Sequence, residues 1–110
     1  MSTSVPEVTV TEVGEDAYLL DVRDADEWAA GHAPQAHHVP MTELLERLDE
    51  LPADRDVVVV CRVGSRSAQV VAYLQAHGWD RVSNLAGGMW AWQQAGRRMV
   101  SGDGSAAYVL

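Results

Sequence analysis

Val57-Val58-Val59-Val60 runs straight into Cys61-Arg62-Val63-Gly64-Ser65-Arg66-Ser67 and then into Ala68-Gln69-Val70-Val71-Ala72-Tyr73-Leu74. Four consecutive β-branched residues leave no polar face, so they read as a strand buried on both sides, which a sheet covered on both faces provides. The last segment reads as a helix. The chain's only cysteine therefore falls between a strand end and a helix start. A thiol there meets unpaired backbone N–H groups and the positive end of the helix dipole. Those conditions lower a cysteine pKa from about 8.5 and make it a nucleophile.

The rest of the chain alternates hydrophobic blocks with helical patterns, which predicts an α/β fold with a largely parallel sheet. Val8 to Val10 is a candidate first strand and Tyr18 to Val22 a second. Asp24 to Glu27 has capping-box spacing and starts a short helix through Trp28 and Ala29, which Gly31 stops. His37-His38-Val39 is a short strand ended by Pro40, and Thr42 to Leu48 is a helix with Leu44, Leu45 and Leu48 on one face. Pro52 to Asp56 is a turn into the central strand, and the long helix runs from about Ser67 to His77, before Gly78. Val82 to Leu85 is the last strand, and Gly87-Gly88 turns the chain into a helix over Met89 to Ala95, before Gly96. From Ser101 the Gly-Asp-Gly-Ser run reads as a loosely held tail.

At 110 residues the chain fits one domain, 1–110, with a core of about 7–96 and a C-terminal extension over 97–110. A lone cysteine excludes an internal disulfide framework and a multi-thiolate zinc site, and it makes the cytoplasm the default compartment. Met1 to Val10 lacks the basic and apolar regions of a signal peptide, and no apolar run approaches the length of a membrane span. The formal charge of −8, with all eight basic residues arginine, argues against nucleic acid and anionic membranes as partners. His37 and His38 point to opposite faces of a strand, and His32 and His77 have no ligand-spaced partner, so no metal is expected. Trp90 and Trp92 read as core, and Met89 as filler.

Three motifs together resemble the rhodanese family, as a stand-alone single domain: Leu19 to Arg23 through Glu27 to Pro34, the loop Cys61 to Ser67, and Asn84 to Trp92. The family often has Ile-Pro-Gly where this chain has Ala33-Pro34-Gln35, a departure that bears on the local turn. The resemblance implies a rhodanese-like three-layer fold, a five-stranded, mostly parallel sheet flanked by helices on both faces. It puts the cysteine loop at the carboxyl end of the central strand. It also implies a thiosulfate-type sulfurtransferase: the Cys61 thiolate takes the outer sulfur of a small anionic donor, holds it as a persulfide, and passes it to cyanide, a thiol or a protein sulfur acceptor. No cofactor is required.

Every species in such a reaction is anionic, so the site needs positive potential without bulk over the sulfur. The loop Arg62, Val63, Gly64, Ser65, Arg66 and Ser67 can turn successive N–H groups inward as an anion nest, with Gly64 permitting the tight curl. Arg62 and Arg66 add charge that can fork onto donor oxygens. Asp21 and Arg23, at a strand end, are expected to support the loop through buried hydrogen bonds and an ion pair. The competing readings are a buried structural thiol at Cys61 and water-facing arginines at 62 and 66. At the level of function they are a non-catalytic binding or sensing module and a phosphatase or arsenate reductase. The last is disfavoured because those loops use Cys-x5-Arg, whereas here Ser67 stands in that arginine's place.

Overall fold

The computed structural model describes residues 5–110, so the first four residues of the stretch read above for a leader lie outside it. Five strands, β1 (Glu7–Val8), β2 (Tyr18–Asp21), β3 (Ala36–His38), β4 (Val57–Val60) and β5 (Val82–Leu85), form one sheet in the order β1-β5-β4-β2-β3. That order makes β4 the central strand, and all four pairings are parallel. The helices are α1 (Ala25–Ala30), α2 (Ser65–Ala76) and α3 (Gly88–Gln94).

Each valine of β4 is at most 6% exposed, as a strand covered on both faces requires. Alternation along the strand sends Val57, Val59 and Cys61 to a core that includes Val70, Val71 and Leu74 of α2. Val58 and Val60 face the opposite core, which contains Leu85 together with Met89 and Trp92 of α3. Burying one such valine contributes about 1.5–3 kcal/mol, so the run also anchors the loop that follows it. Register completes the placement: Asp21 lies beside Val60 and Val59 beside Asn84, bringing three strand ends together at one edge.

Element ends shift by one or two residues, as in β1 at Glu7–Val8 rather than Val8 to Val10 and β3 at Ala36–His38 rather than His37 to Val39, and four further expectations change. Thr42 to Leu48 is not one α-helix but two 3-10 segments, Met41–Glu46 and Leu48–Glu50. With three residues per turn, Leu44 stacks with Met41 and is buried, while Leu45 rotates outward and is 65% exposed. Trp92 is buried but Trp90 is half exposed, because residues two apart on a helix face opposite sides. The tail from Ser101 is not loose. His32 and Val100 form a bridge, the Tyr108 N–H donates to the Ala30 carbonyl at 3.1 Å, and the Val109 N–H donates to Gln93 Oε1 at 3.1 Å. Gly31 stops α1 with an extended backbone rather than a left-handed turn, and a Cβ there would strike the main chain of Tyr108.

The turn at Pro34-Gln35 closes through the Ala36 N–H and the Ala33 carbonyl at 3.1 Å. Among the described residues no non-glycine residue has positive φ, so this turn does not need the family's glycine. No helix among them is long and apolar enough to cross a membrane.

Candidate active site

Cys61 is the first residue beyond β4 and has no accessible surface. Gly64, with φ 111°, lets the loop reverse and enter α2, a conformation that L side chains rarely adopt. The Gly64 N–H donates to Cys61 Sγ at 3.0 Å, and the Ser67 hydroxyl approaches the same sulfur at 3.2 Å. Burial pushes the Cys61 thiol up, but hydrogen bonds from the Ser67 hydroxyl and from the N–H groups of Ser67, Gly64 and Val63 outweigh it, so the thiol titrates below its ordinary value. A sulfur ringed by N–H donors at a helix start is poised as an anion.

The loop's N–H groups can face the sulfur because its carbonyls are occupied elsewhere. The Met89 N–H donates to the Cys61 carbonyl at 2.9 Å and the Trp90 N–H to the Arg62 carbonyl at 3.0 Å. This contact requires Gly88, where a Cβ would run into both carbonyl oxygens. Gly87-Gly88, read from the sequence as a turn, is thus also the seat on which the cysteine loop rests. Asn84 enters the sequence reading only as the first residue of the third motif, with no role assigned; its signal is an amide, next to Ser83, in a strand where such residues are uncommon. It is 2% exposed, its Nδ2 donates to the Gly64 carbonyl at 3.1 Å, and its Oδ1 accepts from Ser67 at 2.5 Å.

Both loop arginines are engaged. Arg66, in the first turn of α2, donates to both carboxylate oxygens of Glu27 at 2.7 and 2.8 Å. The Arg66 hydrogen bonds hold the Glu27 carboxyl below its usual range, while Glu27 raises Arg66, which also feels the Cys61 charge. A guanidinium opposes the dipole at a helix start, and the carboxylate from α1 offsets that. Arg62 Nε donates to the Leu110 backbone oxygen at 3.0 Å. Val63 and Ser65 lie on the outer side of the loop, Val63 half exposed.

Asp21 and Arg23 are fully buried and paired at 2.8 Å, with Arg23 Nη2 also donating to the Gly31 carbonyl. The Val22 N–H reaches the Val60 carbonyl at 3.0 Å, so the pair braces the strand end that carries Cys61. The four histidines stack on aromatic rings, His32 and His38 on Trp28, His37 on Tyr18 and His77 on Tyr73. A cavity of about 570 Å³ opens at the opposite ends of the strands, between Tyr18, Arg55, Val58 and Arg81, and takes no part in the cysteine loop.

Residues 7–95 match the family model described as the rhodanese-like domain. A sulfurtransferase of Allochromatium vinosum is 46% identical over 90 residues, covering 82% of this chain and 84% of the relative. The thiosulfate sulfurtransferase GlpE of Actinobacillus succinogenes is 37% identical, with 82% and 81% covered. The crystal structure of a rhodanese-related protein from Thermoplasma volcanium superposes with a TM-score of 0.80 at 28% identity, covering 86% of this chain and 97% of that one.

Proposed function

The chain belongs to the rhodanese-like domain family, whose sulfurtransferase-named relatives support sulfur transfer in general, and from that premise we propose that it carries sulfane sulfur from thiosulfate, or a similar anionic donor, on Cys61. The observation that carries this reading is the sulfur itself, held by the Gly64 N–H and the Ser67 hydroxyl at the start of α2.

In the first step the Cys61 thiolate attacks the outer sulfur of thiosulfate. A sulfur–sulfur bond to Cys61 forms, the donor's own sulfur–sulfur bond breaks, and sulfite leaves with the electron pair. The new persulfide is an anion, and the N–H groups that favoured the thiolate suit it equally. Cyanide or a thiol then attacks the terminal sulfur, departs as thiocyanate or a new persulfide, and returns Cys61 as thiolate. The charge of Arg66 couples to that of Cys61 and favours an anionic donor, with Arg62, Val63 and Ser65 exposed on the outer side of the loop. Asp21 and Arg23 serve as loop support. Ser67, where a phosphatase loop would carry arginine, leaves a phosphate without its forked donor. Residues 7–96 form the transfer core of a single domain, with 97–110 packed on it as an extension.

Incubation with thiosulfate and intact-protein mass spectrometry test this. One added sulfur, mapped to Cys61 and absent in Cys61→Ser, is expected. No gain in the wild-type protein, or an equal gain in the variant, overturns the reading.

A further inference from the structure

Ser67 Oγ lies 3.2 Å from Cys61 Sγ and 2.5 Å from Asn84 Oδ1, and a hydroxyl has a single proton to give. The orientation of the Asn84 amide follows from its neighbours. Its nitrogen faces the Gly64 carbonyl at 3.1 Å and Glu7 Oε2 at 3.3 Å, both acceptors, so the oxygen must face Ser67. All three residues are at most 2% exposed, so bulk water does not relieve the competition. With Cys61 protonated, all groups are satisfied in series: the thiol donates to Ser67 Oγ, and the Ser67 hydroxyl donates to Asn84 Oδ1. With Cys61 ionised, the sulfur has only lone pairs, and Ser67 must turn its proton away from Asn84 to serve it.

We propose that Asn84 is a positioning residue that sets how readily Cys61 ionises, by competing with the sulfur for the one proton of Ser67. Ionisation breaks the Cys61 S–H bond and releases that proton to water, while Ser67 keeps its own and turns it from Asn84 Oδ1 to Sγ. The rotation leaves a buried amide oxygen short of a partner, so Asn84 acts as a brake on the thiolate. Its second bond, to the Gly64 carbonyl, fixes the amide's orientation, and that carbonyl keeps the Ala68 N–H as a partner when Asn84 is replaced. The charged groups around this chain of bonds are Arg66 with Glu27, Glu7 on the Asn84 nitrogen, the Asp21–Arg23 pair at the end of β2, and Arg62 in the loop. This deepens the sulfur-carrier reading and rests on it for its purpose, but the tests below read only the ionisation of Cys61.

The pH dependence of Cys61 alkylation by iodoacetamide is measured in Ser67→Ala, Asn84→Leu, Asn84→Ala and each double variant. Ser67→Ala moves the midpoint to higher pH. Either Asn84 substitution moves it to lower pH when Ser67 is present, with alkylation at neutral pH about 3- to 10-fold faster, and has no such effect when Ser67 is alanine. An equal effect of Asn84 in both backgrounds, or none in either, overturns the proposal. A second measurement uses the wild-type protein and needs no variant to fold. The Asn84 side-chain amide signals in NMR shift with the same midpoint as the ultraviolet absorbance of the Cys61 thiolate, and amide signals that stay fixed through that titration overturn it as well.

Discussion

The Arg66 guanidinium lies against the Glu27 carboxylate with two hydrogen bonds of 2.7 and 2.8 Å, tying the cysteine loop's helix to α1, 39 residues earlier in the chain. The pair is partly buried, with 32% of the Arg66 and 12% of the Glu27 side chain exposed. Much of the positive potential that Arg66 offers an incoming anion is therefore already matched.

The two partners should have opposite effects on donor binding. Arg66→Ala is expected to raise the thiosulfate KM roughly tenfold and flatten its dependence on ionic strength, since hydrogen bonds to charged groups are the stronger class. Glu27→Gln is expected to lower KM by about two- to fivefold, because the guanidinium is freed for the donor. Steady-state kinetics at two salt concentrations check both, and a raised KM in Glu27→Gln would show that the carboxylate positions Arg66 instead of competing for it.

Stability should carry the same signature with pH. The folded Glu27 carboxyl titrates below its unfolded value, so the pair's contribution is complete above the ordinary glutamate range and drains away as pH falls through the depressed folded value. The gap in unfolding free energy between wild type and Glu27→Gln is expected to be about 0.5–1 kcal/mol near neutral pH and to shrink below about pH 4. Urea melts across that range measure it, and a gap independent of pH sinks the assignment.

Gly88→Ala tests the seat beneath the loop. The residue has φ 57° and its Cβ would strike the Cys61 and Arg62 carbonyls, so strain and overpacking together cost about 2–4 kcal/mol. Gly96→Ala, at φ 71° in open space, should cost only about 1–2 kcal/mol. Cys61 alkylation near neutral pH should slow in the first variant and not in the second.

Asp21→Asn removes the charge that balances a fully buried Arg23. An uncompensated buried guanidinium costs about 3–5 kcal/mol, far more than the surface pair of Arg81 and Asp56 would when broken. Thermal unfolding of Asp21→Asn and Asp56→Asn, side by side, separates the two.

The elements that were legible in advance are those whose signal is local. Val57 to Val60 had one reading because four branched side chains leave no polar face. Val82 to Leu85 came out with the same bounds, and Glu27 does accept the Asp24 N–H at 3.1 Å, as capping-box spacing implies. Leu45 was misplaced because a period of 3.6 and a period of 3.0 differ little over seven residues, and only packing selects between them. The tail differs because its Gly-Asp-Gly-Ser run is flexible by composition, yet it is held by main-chain carbonyls of α1 and by the Gln93 side chain of α3, which composition does not reveal.

By itself the sequence determined the central strand, the loop and the helix after it, and so the chemical character of Cys61, because each depends on residues adjacent in the chain. Which partners complete that chemistry was decided only by the tertiary structure. Parallel register brings Asn84 next to Ser67, α1 brings Glu27 to Arg66, and the close approach at Gly88 turns the loop's carbonyls away from the sulfur. These contacts span 17 to 39 residues of chain, and hydrogen bonding at such separation follows from how layers pack, which no local pattern encodes.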